Sequence, residues 1–300
     1  MKNTDQYYGD KKGTTYLEVY SINDHTNDHI THRILQDQEA YDTWHLSLYY
    51  KEILSYRKKL SSSNITFDDL PRKEKNLILY ILLSSNSKYE SIIELGSSLF
   101  EMIDGLDLVR NYTRCNDSNL PDIDPYSIEY TGVEISKLLN DAALDLHRGY
   151  KINLLESTKD VIGSYDILYD RSVTNYAFDS AKSVAEFVNK SDCALLNIFL
   201  SKGKTFISSR LGKRLTYFSL EEFASELKQP LFHLFGEKAP GPVSGTELCR
   251  GKPAVEGFFL CASNEVVESM MDLQQQDPQT SKYFKEKQIK PRPALDLLDK

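Results

Sequence analysis

Short apolar runs alternate with stretches of helical periodicity through the middle of this chain. Between the runs, apolar residues recur three or four positions apart, which is typical of helices that pack on a sheet. Strands that alternate with helices predict a Rossmann-like, doubly wound and mostly parallel sheet of the α/β class. The runs that have the length and apolar character of buried strands lie at residues 91–95, 130–135, 152–155, 165–169 and 193–200.

The residues before the first run have a different pattern. Residues 1–30 are polar and lack periodicity, which is typical of a mobile arm or a lid segment. Helical spacing at residues 38–60 and 70–83 predicts two helices that form an N-terminal helical cap. Within the alternating part, residues 111–127 are rich in Asn and Asp and contain two prolines, so we predict a loop insertion there.

Two further apolar runs follow the alternation. They lie at residues 230–235 and 257–261, on either side of the Gly- and Pro-rich stretch 238–245, and they predict a terminal antiparallel pair. The predicted organisation is therefore an arm and cap at residues 1–87, a core at 88–263, and a surface helix with a loose tail at 264–300.

Composition narrows the class of protein. The 300 residues are 40% hydrophobic and 27% charged, as in ordinary globular enzymes. The net charge of −8 argues against a surface for nucleic acid, which needs clustered Lys and Arg. An apolar leader and a window of about 18 apolar residues are both missing, so we expect a cytoplasmic protein without a membrane segment. The four cysteines are scattered without a CxxC pair, and we expect no metal site.

Two acids occupy positions where an open α/β sheet binds its ligands. The first run ends in Glu94, and Gly96 and Ser97 follow, so the backbone there can approach a ligand closely. The second run ends at Glu134, from which a carboxylate can accept hydrogen bonds from ribose hydroxyls. Together these residues predict a site for a nucleoside-type cofactor.

This order of elements resembles the class I S-adenosylmethionine-dependent methyltransferases over residues 88–262. In that family the first strand ends in an acid before a glycine-bearing turn, and the second strand ends in an acid. This chain departs from the family where Ser98 and Phe100 stand in place of the later glycines. The resemblance implies S-adenosyl-L-methionine as cofactor, and it implies that the cofactor-binding residues are Glu94, Gly96, Ser97, Glu134, Glu156, Ser157 and Asp170.

The resemblance also implies which loop lies beside the reactive methyl group. Methyl transfer from a sulfonium is an in-line displacement, for which a protein chiefly supplies proximity and orientation. His147 and His233 are candidate bases, although each is more often an ordinary structural histidine. The ring of Tyr176 is a candidate for cation–π attraction to the sulfonium. The acceptor-side candidates after the fourth run are Asp170, Arg171, Asn175 and Tyr176.

These observations predict a methyltransferase that acts on a small molecule such as a sugar or a specialised metabolite. No HExxH, GxSxG, Walker-type or deaminase signature is present, which leaves hydrolysis, phosphoryl transfer and zinc chemistry unsupported. Three alternatives stay open: a dehydrogenase, an enzyme that cyclises or cleaves S-adenosylmethionine itself, and an inactive binding subunit. The expected partner is a small-molecule substrate, with neither nucleic acid nor a membrane involved, and a homodimer is also left open.

Overall fold

The computed structural model describes residues 38–62, 64–116, 118–210, 213–236 and 254–298. Its helices are α1 (Gln38–Leu60), α2 (Lys73–Ser85), α3 (Glu101–Cys115), α4 (Lys137–Leu146), α5 (Thr174–Ala177), α6 (Ala181–Val188), α7 (Leu220–Glu226), α8 (Asn264–Gln276) and α9 (Pro278–Glu286). Its strands are β1 (Ser91–Leu95), β2 (Glu129–Val133), β3 (Lys151–Leu155), β4 (Tyr165–Asp170), β5 (Ser191–Ser201), β6 (Phe206–Arg210), β7 (Lys213–Ser219), β8 (Leu231–Phe235), β9 (Ala254–Cys261) and β10 (Arg292–Pro293).

The sheet has the predicted doubly wound arrangement. Its strand order is β10-β8-β9-β5-β4-β1-β2-β3, and the β6–β7 hairpin joins it through β7 at the end of β5. Strands β1 to β5 are parallel to one another. Strand β9 lies antiparallel between β5 and β8, as the predicted terminal antiparallel pair required. The order reverses between β1 and β4, so the carboxyl ends of these two strands border the crevice in which such sheets bind ligands.

The sheet separates two apolar cores. Successive residues of β1 belong to different cores, since Ile92 packs in the core that contains α2 and α3, whereas Ile93 packs in the one that contains α6. Strand β5 has buried residues on both faces and pairs with β4 and β9, which explains its nearly continuous apolar sequence. Helices α4 and α7 begin at serine caps, because Ser136 and Ser219 accept hydrogen bonds from backbone amides of the helices that follow.

Two predictions at this level are wrong, and one element was not predicted. The supposed loop over 111–127 begins as helix, because α3 continues to Cys115 with Tyr112 buried. The β6–β7 hairpin was not foreseen. The supposed loose tail contains α9 and β10, since Phe284, Ile289 and Leu297 are buried against the rest of the chain.

Links across long stretches of sequence hold these C-terminal elements in place. The carboxylate of Asp277 accepts hydrogen bonds from Tyr112, 165 residues earlier, and from Ser118. The hydroxyl of Tyr283 donates to Glu74, which is 209 residues away. The C-terminal helices therefore pack on the same core as α2 and α3.

Some expectations lie outside the described residues. These are the arm or lid at residues 1–30 and the Gly- and Pro-rich stretch 238–245. No helix in the described ranges is long and apolar enough to cross a membrane.

Candidate cofactor site

The loop after β1 has a backbone conformation that usually requires glycine. Gly96, Ser98 and Phe100 have φ angles of 70°, 49° and 53°, all in the left-handed region. These are the positions at which glycines alternate in the methyltransferase motif, and helix α3 begins directly afterwards at Glu101. The loop thus keeps the glycine conformation at the two positions where the sequence departs from the motif.

Close packing beneath the loop explains how Phe100 is tolerated. Its ring is fully buried and lies against Gly132 on β2, where an added Cβ would come within 2.4 Å of the Phe100 ring and of Ser97 Oγ. An edge-on contact with Tyr130, at 6.5 Å between ring centroids, completes the packing. The side chain at position 100 therefore fills the interior below the loop.

Glu134 ties the end of β2 to this loop. Its carboxylate accepts hydrogen bonds from the backbone amides of Ser98, at 3.2 Å, and Ser136, at 3.1 Å. Burial raises the pKa of Glu134, and these two hydrogen bonds act in the opposite direction. The structure therefore brings the predicted ribose-binding acid into contact with the predicted cofactor loop.

Glu94 and Arg171 belong to a buried cluster of charges above the carboxyl ends of β1 and β4. Arg171 forms an ion pair with Glu101, the first residue of α3, and its Nε lies 3.6 Å from Glu94 Oε1. Burial raises the pKa of Glu94 well above its ordinary range, and the positive charge of Arg171 opposes that shift. Burial alone would lower the pKa of Arg171, but the charges of Glu101 and Glu94 outweigh it and raise the pKa.

Several buried polar atoms around this cluster have no hydrogen-bond partner among the described residues. They are Glu94 Oε1 and Oε2, Glu101 Oε2, Arg171 Nη1, and the hydroxyls of Ser97 and Ser98. Buried polar groups are nearly always paired, so a concentration of unpaired ones indicates a place for a polar ligand. The carboxylates suit an ammonium group and the guanidinium suits a carboxylate. The residues present therefore fit the amino-acid end of S-adenosylmethionine.

Helix α1 covers the cluster. Tyr49 lies between two guanidinium groups, with its ring centroid 5.0 Å from Arg171 and 5.7 Å from Arg72. Arg72 also pairs with Glu52 on α1 at 2.9 Å and with Glu101 at 3.3 Å. Sequence reasoning missed these residues. The acid at the start of α3 gave a weak signal, because an acidic first turn is common in helices, while Tyr49 and Arg72 gave none.

Asp170 and Asn175 shape the loop after β4. Asp170 is fully buried and accepts hydrogen bonds from the amides of Val173 and Thr174 at 2.9 and 3.1 Å, and its burial raises its pKa to about 6. Asn175 donates to the carbonyls of Phe199 and Thr216 and accepts from the Phe199 amide. The structure thus gives Asp170 and Asn175 positioning roles within the protein.

The remaining site candidates are dispersed. Tyr176 lies on α5 with 40% of its surface exposed. Glu156 is exposed at the end of β3, and Ser157 accepts a hydrogen bond from the Lys159 amide in a local turn. The structure therefore does not bring Glu156 and Ser157 into the charge cluster around Glu94.

The two candidate bases, His147 and His233, both lie where they contact other parts of the protein. His147 is buried, its Nε2 lies 2.8 Å from the carbonyl of Leu99, and burial lowers its pKa to about 4. The neutral ring therefore contacts the backbone of the loop after β1. His233 is on β8 opposite Arg292. Among the residues that the structure describes, no group of His, Cys, Asp and Glu side chains is arranged to hold a metal ion.

Comparisons with known proteins give structural likeness alone. No protein-family model and no curated protein sequence matches the chain. The N-terminal domain of EvdMO1 with SAH bound is similar at a TM-score of 0.43 and 8% identity, over 63% of this chain and 81% of that one. The sugar N-methyltransferase KedS8 from Streptoalloteichus has a TM-score of 0.38 and 14% identity, over 70% and 91% of the two chains.

The aminopentose methyltransferase CalS10 from Micromonospora echinaspora, with SAM bound, is similar at a TM-score of 0.37 and 10% identity, over 62% of this chain and 89% of that one. Likeness this low says nothing about what this chain acts on. The strand order itself is the doubly wound, Rossmann-like arrangement, with the antiparallel strand β9 between β5 and β8.

Proposed function

We propose that this chain is an S-adenosylmethionine-dependent methyltransferase that acts on a small molecule such as a sugar or a specialised metabolite. One observation carries the proposal: buried atoms of Glu94, Glu101 and Arg171 that lack a hydrogen-bond partner among the described residues lie beside a loop whose backbone keeps the glycine conformation of the family. The cluster lies at the carboxyl ends of β1 and β4, which is where this fold binds its ligands.

The residues of the site divide the recognition of the cofactor between them. Glu94 and Glu101 would hold the ammonium group, and Arg171 would hold the carboxylate through its unpaired Nη1. Glu134, held by the Ser98 amide, would accept hydrogen bonds from the ribose hydroxyls. When bound, the cofactor supplies a methyl group activated by its sulfonium, and the protein supplies orientation and the exclusion of water.

The acceptor side lies around the loop after β4. Asp170 fixes the start of α5 through its bonds to two backbone amides, and α5 presents Tyr176 at the surface. The net charge of −8 supports a small molecule over nucleic acid as the acceptor.

A binding subunit without catalysis is the second candidate. The observation that favours it is the internal pairing of Arg171 with Glu94 and Glu101, since these groups already neutralise part of one another's charge. A cofactor would need to compete with these pairs for both carboxylates.

Titration calorimetry with S-adenosylmethionine tests the cofactor assignment. We expect Glu134→Gln to weaken binding by roughly 1.5–3 kcal/mol, because it removes a charged acceptor of hydrogen bonds. The matched control is Glu129→Gln, which changes an exposed acid at the opposite end of the same strand. Equal affinity in both variants, or no binding by the unaltered protein, would contradict the assignment.

Mass spectrometry of the products then tests the reaction. S-adenosylhomocysteine that forms only with an acceptor present would demonstrate methyl transfer. Methylthioadenosine that forms without an acceptor would instead demonstrate cyclisation or cleavage of the cofactor. Binding without turnover across a set of amino sugars, neutral sugars and phenols would favour the binding subunit.

A further inference from the structure

Two adjoining cavities lie beside β8, away from the charge cluster of Glu94. The larger, of about 410 Å³, lies between α8, α9 and the chain that follows α9. The smaller, of about 200 Å³, lies at the end of β8 near Phe235 and Gly236. Gln288 and Arg292 line both cavities, so the two form one groove. The larger cavity alone has the volume of an ordinary small-molecule site.

The groove is basic in an acidic protein. Lys285, Lys287, Lys290 and Arg292 line it, and none of the described residues in its walls is Asp or Glu. The chain as a whole has a net charge of −8. A concave surface lined by three lysines and an arginine therefore stands out against the acidic composition of the chain.

The backbone fixes the arrangement of these cations. Arg292 is paired with His233 in the antiparallel ladder between β10 and β8. Gln288 has a φ of 55°, which turns the chain sharply out of α9 toward that ladder. The floor is apolar, because Phe284 and Ile289 are buried beneath the groove. Basic side chains held by a strand ladder above a buried apolar floor are typical of a binding site rather than of a freely solvated face.

The helix dipole does not account for the basic residues. Lysines in a last helical turn commonly offset the unpaired carbonyls there. At the end of α9, however, the carbonyls of Tyr283, Phe284 and Lys285 already accept hydrogen bonds from the amides of residues 287, 289 and 288, at 2.9, 2.8 and 3.2 Å. Lys290 and Arg292 lie beyond the helix altogether.

We propose that this groove binds a phosphate-bearing small molecule. Several lysines and an arginine around one cavity suit a multiply charged anion, since Arg offers a fork of donors and each Lys a point charge. Strand β8 runs parallel to β5, so the groove opens on the same edge of the sheet as the cofactor site. The ring centroids of Phe235 and Phe258 are 5.0 Å apart, and those of Phe258 and Tyr169 are 6.5 Å apart. Two aromatic contacts therefore connect the wall of the groove to β4.

Direct binding tests the groove without reference to methyl transfer. The probes are pyrophosphate and ribose 5-phosphate, which lack the adenine and the amino-acid end of S-adenosylmethionine, and both are titrated calorimetrically at low and at physiological salt. We expect binding that weakens with salt, and we expect the double variant Lys285→Gln, Lys290→Gln to lose at least ten-fold in affinity. Tighter binding of ribose 5-phosphate would support an organic phosphate, and tighter binding of pyrophosphate an inorganic one.

The matched control is Lys282→Gln. Lys282 is on the same helix, is 78% exposed and pairs with Glu286 at 3.9 Å, but it does not line the groove. We expect this variant to keep affinity within two-fold. Absence of binding by the unaltered protein, unchanged affinity in the double variant, or an equal loss in the control would each overturn the proposal. None of these results depends on whether the chain binds S-adenosylmethionine.

Discussion

Ser98 and Phe100 hold a backbone conformation that residues with a side chain normally avoid. Each left-handed residue of this kind costs about 1–2 kcal/mol relative to the ordinary helical region. Burying a phenylalanine side chain contributes about 1.5–3 kcal/mol, and Phe100 is fully buried against Gly132. The packing of one side chain can therefore offset the strain that a glycine would have avoided, so the loop depends on its surroundings for its shape.

Gly96 is the one position of this loop that still requires glycine. An added Cβ would lie 2.3 Å from Val173 Cγ2, and the φ of 70° is itself unfavourable for alanine. Gly163 has a φ of 96° but no atom within 4 Å of an added Cβ. We expect Gly96→Ala to lower the free energy of unfolding by about 1–3 kcal/mol more than Gly163→Ala, because only the first adds overpacking. Urea denaturation measures both.

A second substitution identifies the source of that difference. Val173→Ala removes the atom that an alanine at position 96 would meet. The double variant should recover most of the extra loss, since the two residues are in contact and their effects are not additive. A double variant as unstable as the sum of the two single ones would mean that Val173 is not the obstacle.

At the scale of elements, Asn175 joins three pieces of the fold. It lies on α5 and bonds to backbone groups of β5 and β7, at 2.8 Å to both groups of Phe199 and 2.5 Å to the Thr216 carbonyl. These bonds connect the β6–β7 hairpin to the loop that carries Asp170. A short helix with one turn has little stability of its own, so its position depends on such links.

Asn175→Ala tests this role. We expect the free energy of unfolding to fall by about 3 kcal/mol, because three backbone groups lose a partner in a buried site. The control is Asn197→Ala on β5, which removes a single hydrogen bond to the hydroxyl of Ser172 in the loop after β4. Equal losses in the two variants, measured by chemical denaturation, would show that α5 is held by other contacts.

The elements that the sequence predicted well are those with a local signal. Apolar runs identified β1 to β5, because burial on both faces of a parallel strand leaves few polar positions. The β6–β7 hairpin and α9 were missed. The strands of the hairpin carry mixed polar and apolar residues, and the nine residues of α9 include few apolar ones among polar and charged ones.

The residues of the candidate site also divide into those with a local sequence signal and those without one. Glu94, Gly96 and Glu134 could be inferred, because each lies at or just after the end of a recognisable strand and parallel strands end at one edge. The partners of Arg171 could not. Tyr49 is on α1, Arg72 lies just before α2 and Glu101 begins α3, and nothing in their local sequence shows that they meet.

At the scale of the whole molecule, buried acids make stability depend on pH. Burial raises the pKa of Asp170 to about 6 from an ordinary value of 3.8, so the folded protein holds a proton there that the unfolded chain has lost. The stability that this proton contributes is complete below about pH 4 and is lost as the pH rises through 6.

Asp170→Asn removes this dependence, because asparagine keeps an oxygen for the amides of Val173 and Thr174 and does not titrate. Between pH 4 and pH 7 we expect the variant to gain on the order of 3 kcal/mol relative to the unaltered protein. Asp104 and His147 titrate in the same window, but they do so in both proteins and cancel in the difference. Urea denaturation at several pH values gives the curves, and parallel curves would contradict the assignment.

The links from Asp277 and Tyr283 to residues near the start of the sheet have a kinetic consequence. The free energy that is needed to close a chain loop, which is entropic, grows only with the logarithm of the loop length, by about 0.6 kcal/mol per doubling. Spans of 165 and 209 residues therefore cost little at equilibrium. They act on the search for the native state instead, since folding slows as the sequence separation of contacting residues grows. The layer of α2, α3, α8 and α9 forms only when segments distant in the sequence meet. We therefore expect this chain to fold slowly.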